Sequence, residues 1–108
     1  MHIRIYIRAR GDRGTMVEKQ IEQKLIAVVK ALGGMAIKIN SLSMSGLPDR
    51  LVLLPGGEVI FIELKAPGKE MRPLQVKRKR QLEGLGFSVY CIDDVKQINK
   101  ILKEVMLK

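Results

Sequence analysis

Two acidic residues sit where the surrounding pattern calls for burial. Asp49 follows Pro48 at the mouth of an apolar run, and Glu63 lies inside Val59-Ile60-Phe61-Ile62-Glu63-Leu64-Lys65. An ionised side chain taken out of water needs a compensating partner. Residues two apart on a strand share a face, so Glu63 and Lys65 point the same way, and a hairpin brings Asp49 alongside from the neighbouring strand. Two carboxylates that close repel each other, and a divalent cation between them removes the repulsion. Oxygen donors select a hard ion, so Asp49, Glu63 and a backbone carbonyl such as that of Leu64 suit Mg2+ or Mn2+. Lys65 would then stand beside the attacking water, orienting it or stabilising charge on a phosphate. The competing interpretation is a plain ion pair between Lys65 and an acid at the end of a strand, and these residues alone leave both open.

A third carboxylate comes from a helix. With about 100° per residue, Glu18 falls within the arc of Ile21, Leu25, Val28 and Leu32, whereas Glu22 falls at its edge. Glu18 could assist the metal, or could close a capping box with Thr15 and do nothing chemical. Glu22 reads as a solvated residue pairing with a neighbouring lysine.

Charge points to the partner. Lys plus Arg number 20 against 11 acids, a net charge of +9, which favours a polyanion, nucleic acid before an anionic membrane surface. Residues 65–80 carry Lys65, Lys69, Arg72, Lys77, Arg78, Lys79 and Arg80 against Glu70 alone. Such a run is often only a solvated helix face. Its position next to the candidate metal site favours phosphate contact by Lys69, Arg72 and the 77–80 run. With two Tyr, two Phe and no Trp, an aromatic platform for stacking single-stranded bases is not available. His2 is the only histidine and Cys91 the only cysteine, which excludes histidine acid–base chemistry, a cysteine-based zinc site and an internal disulfide. A lone cysteine fits a reducing cytosol, that of a host cell if the chain is viral. Ser41, Ser43 and Ser45 have no histidine to activate them and read as loop residues.

The elements that must position these groups follow from pattern. A chain of 108 residues suits one globular domain with a modest core. Neither a secretory signal nor an apolar run of membrane-spanning length is visible. Residues 1–13 alternate Ile3, Ile5 and Ile7 with Arg4, Tyr6 and Arg8 and read as a strand or an unfolded basic arm ending at Gly11. A helix starts at Thr15 and stops at Gly33-Gly34. Residues 35–39 form a short strand, residues 40–46 a serine-rich loop. Runs 51–54 and 58–64 flank Pro55-Gly56-Gly57 as a hairpin, with Phe61 on a strand covered on both faces. A second helix runs from Pro73 to Gly84 with Leu74, Leu82 and Leu85 on one stripe. A strand over 87–92 follows, and then a helix capped by Asp93-Asp94 that carries Val95, Ile98, Ile101, Leu102 and Val105. The order α-β-β-β-α-β-α argues for an α/β architecture, a central mixed sheet flanked by helices.

In sequence order, Glu18, Gly46-Leu47-Pro48-Asp49-Arg50, Glu63-Leu64-Lys65 and Leu74-Gln75 resemble the PD-(D/E)xK nuclease superfamily and, more narrowly, its virus-type replication-repair nuclease (VRR-NUC) domain. The similarity runs from about Met16 to Leu102. The resemblance implies a restriction-endonuclease-like core and a metal-dependent phosphodiesterase acting on DNA. Asp49 and Glu63 would be metal ligands, Glu18 an assistant to the metal, Lys65 the residue that positions or activates water, and Gln75 an orienting group at the start of the helix bordering the site. It further implies selectivity for branched DNA, such as four-way junctions or flaps, and a homodimer that presents two sites for paired cuts. The alternative is a non-catalytic DNA-binding or scaffold module that keeps the fold. Residues 1–15 have no counterpart in the family pattern: either Met16 is the start of a nuclease domain over 16–108, or the extension is a basic arm adding contacts.

Overall fold

Polar turns and glycines cut the chain into seven elements in the computed structural model, which describes residues 11–107, with side chains from Glu18 onward. They are α1 (Gly11–Ala31), β1 (Met35–Lys38), β2 (Arg50–Leu54), β3 (Glu58–Leu64), α2 (Pro73–Gly84), β4 (Ser88–Ile92) and α3 (Val95–Met106), the order read from the sequence. The strand or arm expected over the first ten residues lies outside the described residues.

Helix α1 begins a turn earlier than expected, so Thr15 lies in the helix body and is not its N-cap, which removes the capping-box interpretation of Glu18. Its C-terminal end is as expected: Gly33 takes φ 88° and the Gly33 and Gly34 amides donate to the Lys30 and Val29 carbonyls at 3.0 and 2.9 Å. A Cβ at Gly34 would stand 2.3 Å from the Leu53 carbonyl oxygen, so only glycine lets the helix end against β2.

The sheet order is β1-β2-β3-β4. The first three strands are antiparallel, and β4 adds to β3 in parallel through the α2 crossover, as parallel neighbours require. Alternation then sorts the strands' residues by face. Val52, Leu54, Ile60, Ile62, Leu64 and Ile92 turn one way and bury against Ile21, Leu25 and Val29 of α1 and Ile98, Leu102 and Val105 of α3. Glu63 turns the other way, toward α2. Asp94 caps α3 as expected, its carboxylate accepting from Lys96 N at 2.9 Å, while Gln97 Oε1 accepts from the Asp93 and Asp94 amides.

Two expected stripes need correction. On α1 the third buried position is Val29, and Leu32 is exposed, because the helix presents the 21-25-29 row to the sheet. On α2 Leu74 and Leu85 are exposed and the only buried residue is Gln75. Leu74 lies against the 40–47 loop instead, where a Cβ on Gly46 would come within 2.7 Å of Leu74 Cγ. Among the described residues no helix is long and apolar enough to cross a membrane.

Candidate active site

The β2–β3 ladder ends with Arg50 opposite Ile62, and one more step of that register sets Asp49 beside Glu63. Asp49 is tied from both neighbours. Its carbonyl accepts from Ile39 N, just past β1, at 2.8 Å, and its Oδ2 accepts from Leu64 N of β3 at 2.7 Å. Glu63 is 2% exposed. Its Oε2 accepts from Gln75 Nε2 at 2.5 Å and lies 3.3 Å from Lys65 Nζ. Gln75 Oε1 accepts from Arg72 N at 2.8 Å, which fixes the amide so that its NH2 faces Glu63. Both donors thus converge on one oxygen of Glu63. The other, Oε1, is buried without a hydrogen-bond partner, an omission that costs about 1–3 kcal/mol for a neutral group and more for a charged one.

Glu18 reaches the same end of the sheet from α1 and accepts a hydrogen bond from the Ala66 backbone. It lines an open pocket of about 270 Å3 with Lys19, Glu22, Lys38, Asp49 and Leu64. Glu63 is not part of that wall; it lies behind it, under α2. Burial and then the charge of Asp49 push the Glu63 carboxyl above its usual range, with Lys65 pulling the other way. The same two causes, in the same order, raise Glu18. Opposed carboxylates that hold protons too tightly are relieved by a cation. Among the described residues no group of three or more His, Cys, Asp or Glu is disposed to hold an ion. The donors at hand are the Asp49 and Glu63 carboxylates with the Leu64 carbonyl, all hard oxygens, and the unpartnered Glu63 Oε1 is an atom such an ion would satisfy. They fit Mg2+ or Mn2+, which need only one or two carboxylates and keep several waters.

Glu22 corrects the sequence reading. It pairs with Arg50, Nη2 to Oε2 at 2.9 Å, and not with a lysine neighbour, while Arg50 Nη1 donates to the Ala36 carbonyl at 3.2 Å. This guanidinium, directly after Asp49, clamps α1, β1 and β2 together, and pairing over a separation of 28 residues has no periodic signal in the sequence. Lys19 and Lys38 also line the pocket and carry no pattern that marks them in the sequence, although Lys19 follows Glu18 on the same helix.

The basic run is divided. Lys69, Arg72, Lys77 and Arg80 are exposed. Arg78 is held by Nε to the Ser45 carbonyl at 2.8 Å and by Nη1 to Gln81 Oε1 at 2.9 Å, and Lys79 pairs with Glu83 at 2.8 Å. Cys91 stands opposite Glu63 on β4 with a free thiol, raised in pKa by burial and by the Glu63 charge.

No family model matches the chain. Over 88 residues it is 41% identical to the protein named "Putative nuclease p44" of Acyrthosiphon pisum secondary endosymbiont phage 1, covering 82% of this chain and 94% of the phage protein. A solved structure described as a VRR_NUC domain matches at TM-score 0.75 and 28% identity, over 81% of this chain and 95% of that one. With its α-β-β-β-α-β-α order, its mixed sheet and these two relatives, the chain belongs to the VRR-NUC family of nuclease domains.

Proposed function

We propose that the protein is a divalent-metal-dependent endonuclease that hydrolyses phosphodiester bonds in DNA, with branched DNA as substrate and a homodimer as the working form. The observation that carries this reading is the convergence of Asp49 and Glu63 at one end of the β2–β3 hairpin, with Glu63 Oε1 buried and unpartnered. Asp49, Glu63 and the Leu64 carbonyl would hold Mg2+ or Mn2+, with Glu18 assisting. A bound cation supplies Lewis acidity, drawing charge from a non-bridging phosphate oxygen. The chain's own groups do the rest. Gln75 and Lys65 fix the Glu63 carboxylate from one side. The Lys65 ammonium orients water for attack on phosphorus and stabilises negative charge developing there. Leu64 N holds Asp49 Oδ2, leaving the other Asp49 oxygen for the pocket. Lys69, Arg72, Lys77 and Arg80 hold the backbone alongside; Arg78 and Lys79 contribute by exchanging surface partners for phosphate.

The test is incubation with labelled four-way junction, flap, duplex and single-stranded DNA, with Mg2+ or Mn2+ and with chelator. Metal-dependent cutting of the branched forms is expected, lost in Asp49→Ala, Glu63→Ala and Lys65→Ala while binding survives. Salt-sensitive binding without cleavage under any metal would instead assign a non-catalytic DNA-binding module. Sedimentation of the free protein checks the dimer.

A further inference from the structure

Two ammonium groups in the acidic pocket have no use in the reading above. Lys19 and Lys38 line it together with Glu18, Glu22 and Asp49, and both side chains are exposed. Opposite charges sharing so small a volume ordinarily pair. Here the ion pairs among the described residues are Arg50–Glu22, Lys65–Glu63 and Lys79–Glu83. Glu22 is already answered by Arg50, and neither pocket lysine comes within 4 Å of a carboxylate among the described residues. Their charge is therefore presented outward.

Their placement is fixed by the sheet. Lys38 ends β1 paired with Arg50, and the next residue, Ile39, donates its amide to the Asp49 carbonyl at 2.8 Å, so Lys38 is held one residue from the position beside Asp49. Lys19 follows Glu18 on α1. In the strand order β1-β2-β3-β4, β1 is the edge opposite β4, the strand reached through α2. Asp49, just before β2, and Glu63, on β3, thus lie between the basic α2 side and the two lysines. Strands lie about 4.8 Å apart, so β1 and β3 are separated by about 10 Å, a span of about three nucleotides at 3.4 Å each.

We infer that Lys19 and Lys38 form a second phosphate-binding locus at the α1–β1 rim of the pocket, holding the cleaved strand on the flank away from α2. The inference deepens the nuclease reading and rests on it for the identity of the ligand, a polynucleotide backbone. Physically, the locus answers a problem that the acids create. Three carboxylates repel a phosphate that must approach them, and a positive rim offsets that repulsion before any metal is bound.

The test reads binding, not cleavage. Affinity of the full chain for a fluorescent four-way junction and a linear duplex is measured in chelator over a range of NaCl, for wild type, Lys19→Ala/Lys38→Ala, and the charge-matched control Lys96→Ala/Lys103→Ala on α3. Loss of two phosphate contacts should lower affinity by about tenfold at low salt and flatten the log K against log salt slope by about 1.8, at about 0.9 per phosphate. The control should leave the slope within about 0.5 of wild type. Equal losses in the two double variants would overturn the inference, since the effect would then be net charge alone. So would an unchanged slope in Lys19→Ala/Lys38→Ala. Thermal melting checks that both remain folded. Absence of cleavage by wild type in Mg2+ would end the nuclease reading without altering this salt-slope result, so the two failures are distinguishable.

Discussion

The two faces of the sheet are built on opposite terms. The face toward α1 and α3 is closed by a dozen buried apolar residues, Leu25, Val29, Val52, Ile62, Ile92 and Ile98 at 0% exposure among them. Toward α2, that helix contributes a single buried residue, Gln75, and it meets a buried carboxylate. Close packing of the first face supplies the favourable burial energy. On the second face Glu63 loses hydration and gains only part of what it lost. Stability is thus concentrated on the first face and the buried carboxylate of the candidate site on the second, a division that can be tested from either side.

The largest effect is expected on the α2 side. Asp49→Ala and Glu63→Ala should lower cleavage by at least about 10³-fold, about 4 kcal/mol of transition-state stabilisation. Melting of Glu63→Gln should stay at or above wild type, because the substitution removes a buried, incompletely satisfied charge. A large fall in its melting temperature would contradict the division. On the other face, Leu25→Ala should cost about 2–5 kcal/mol in urea unfolding, against about 0.5 or less for the exposed Leu85→Ala. Gln75→Ala should reduce cleavage about 10–100-fold by freeing Glu63, with metal affinity moving in parallel, as Mn2+ binding would report. The smallest effect is on pH. Burial and Asp49 make Glu63 bind its proton more tightly in the folded chain than in the unfolded one. The resulting stabilisation is complete below the ordinary glutamate range and is lost as pH rises through the raised value. In chelator, wild type should therefore lose stability relative to Glu63→Gln as the pH climbs through that interval. Superposable profiles would remove Glu63 as the source.

The same division explains what could be read in advance. Apolar runs broken by Pro55-Gly56-Gly57, Gly33-Gly34 and Pro73 gave the element order, because the core face obeys periodicity. Strand alternation was enough to bring Asp49, Glu63 and Lys65 together. It fails on α2, where the leucine stripe suggests an apolar contact with the sheet but the sheet there presents Glu63, so the helix turns Gln75 inward. Only family resemblance singled out that glutamine. The Arg50–Glu22 clamp is invisible in the sequence for another reason: it joins residues of two elements whose mutual approach is a tertiary fact. Thr15 looked like a cap because a capping motif is local, while the helix continues past it.

The β2–β3 hairpin has its turn at the end remote from Asp49 and Leu64, the length of a five-residue strand, about 17 Å, from the acids. Nothing stands within 4 Å of where a Cβ would project at Gly56 or Gly57. That turn is a natural handle: a dye or an affinity tag spliced between the two glycines would let single molecules be tethered and watched with DNA while the acidic end stays unobstructed.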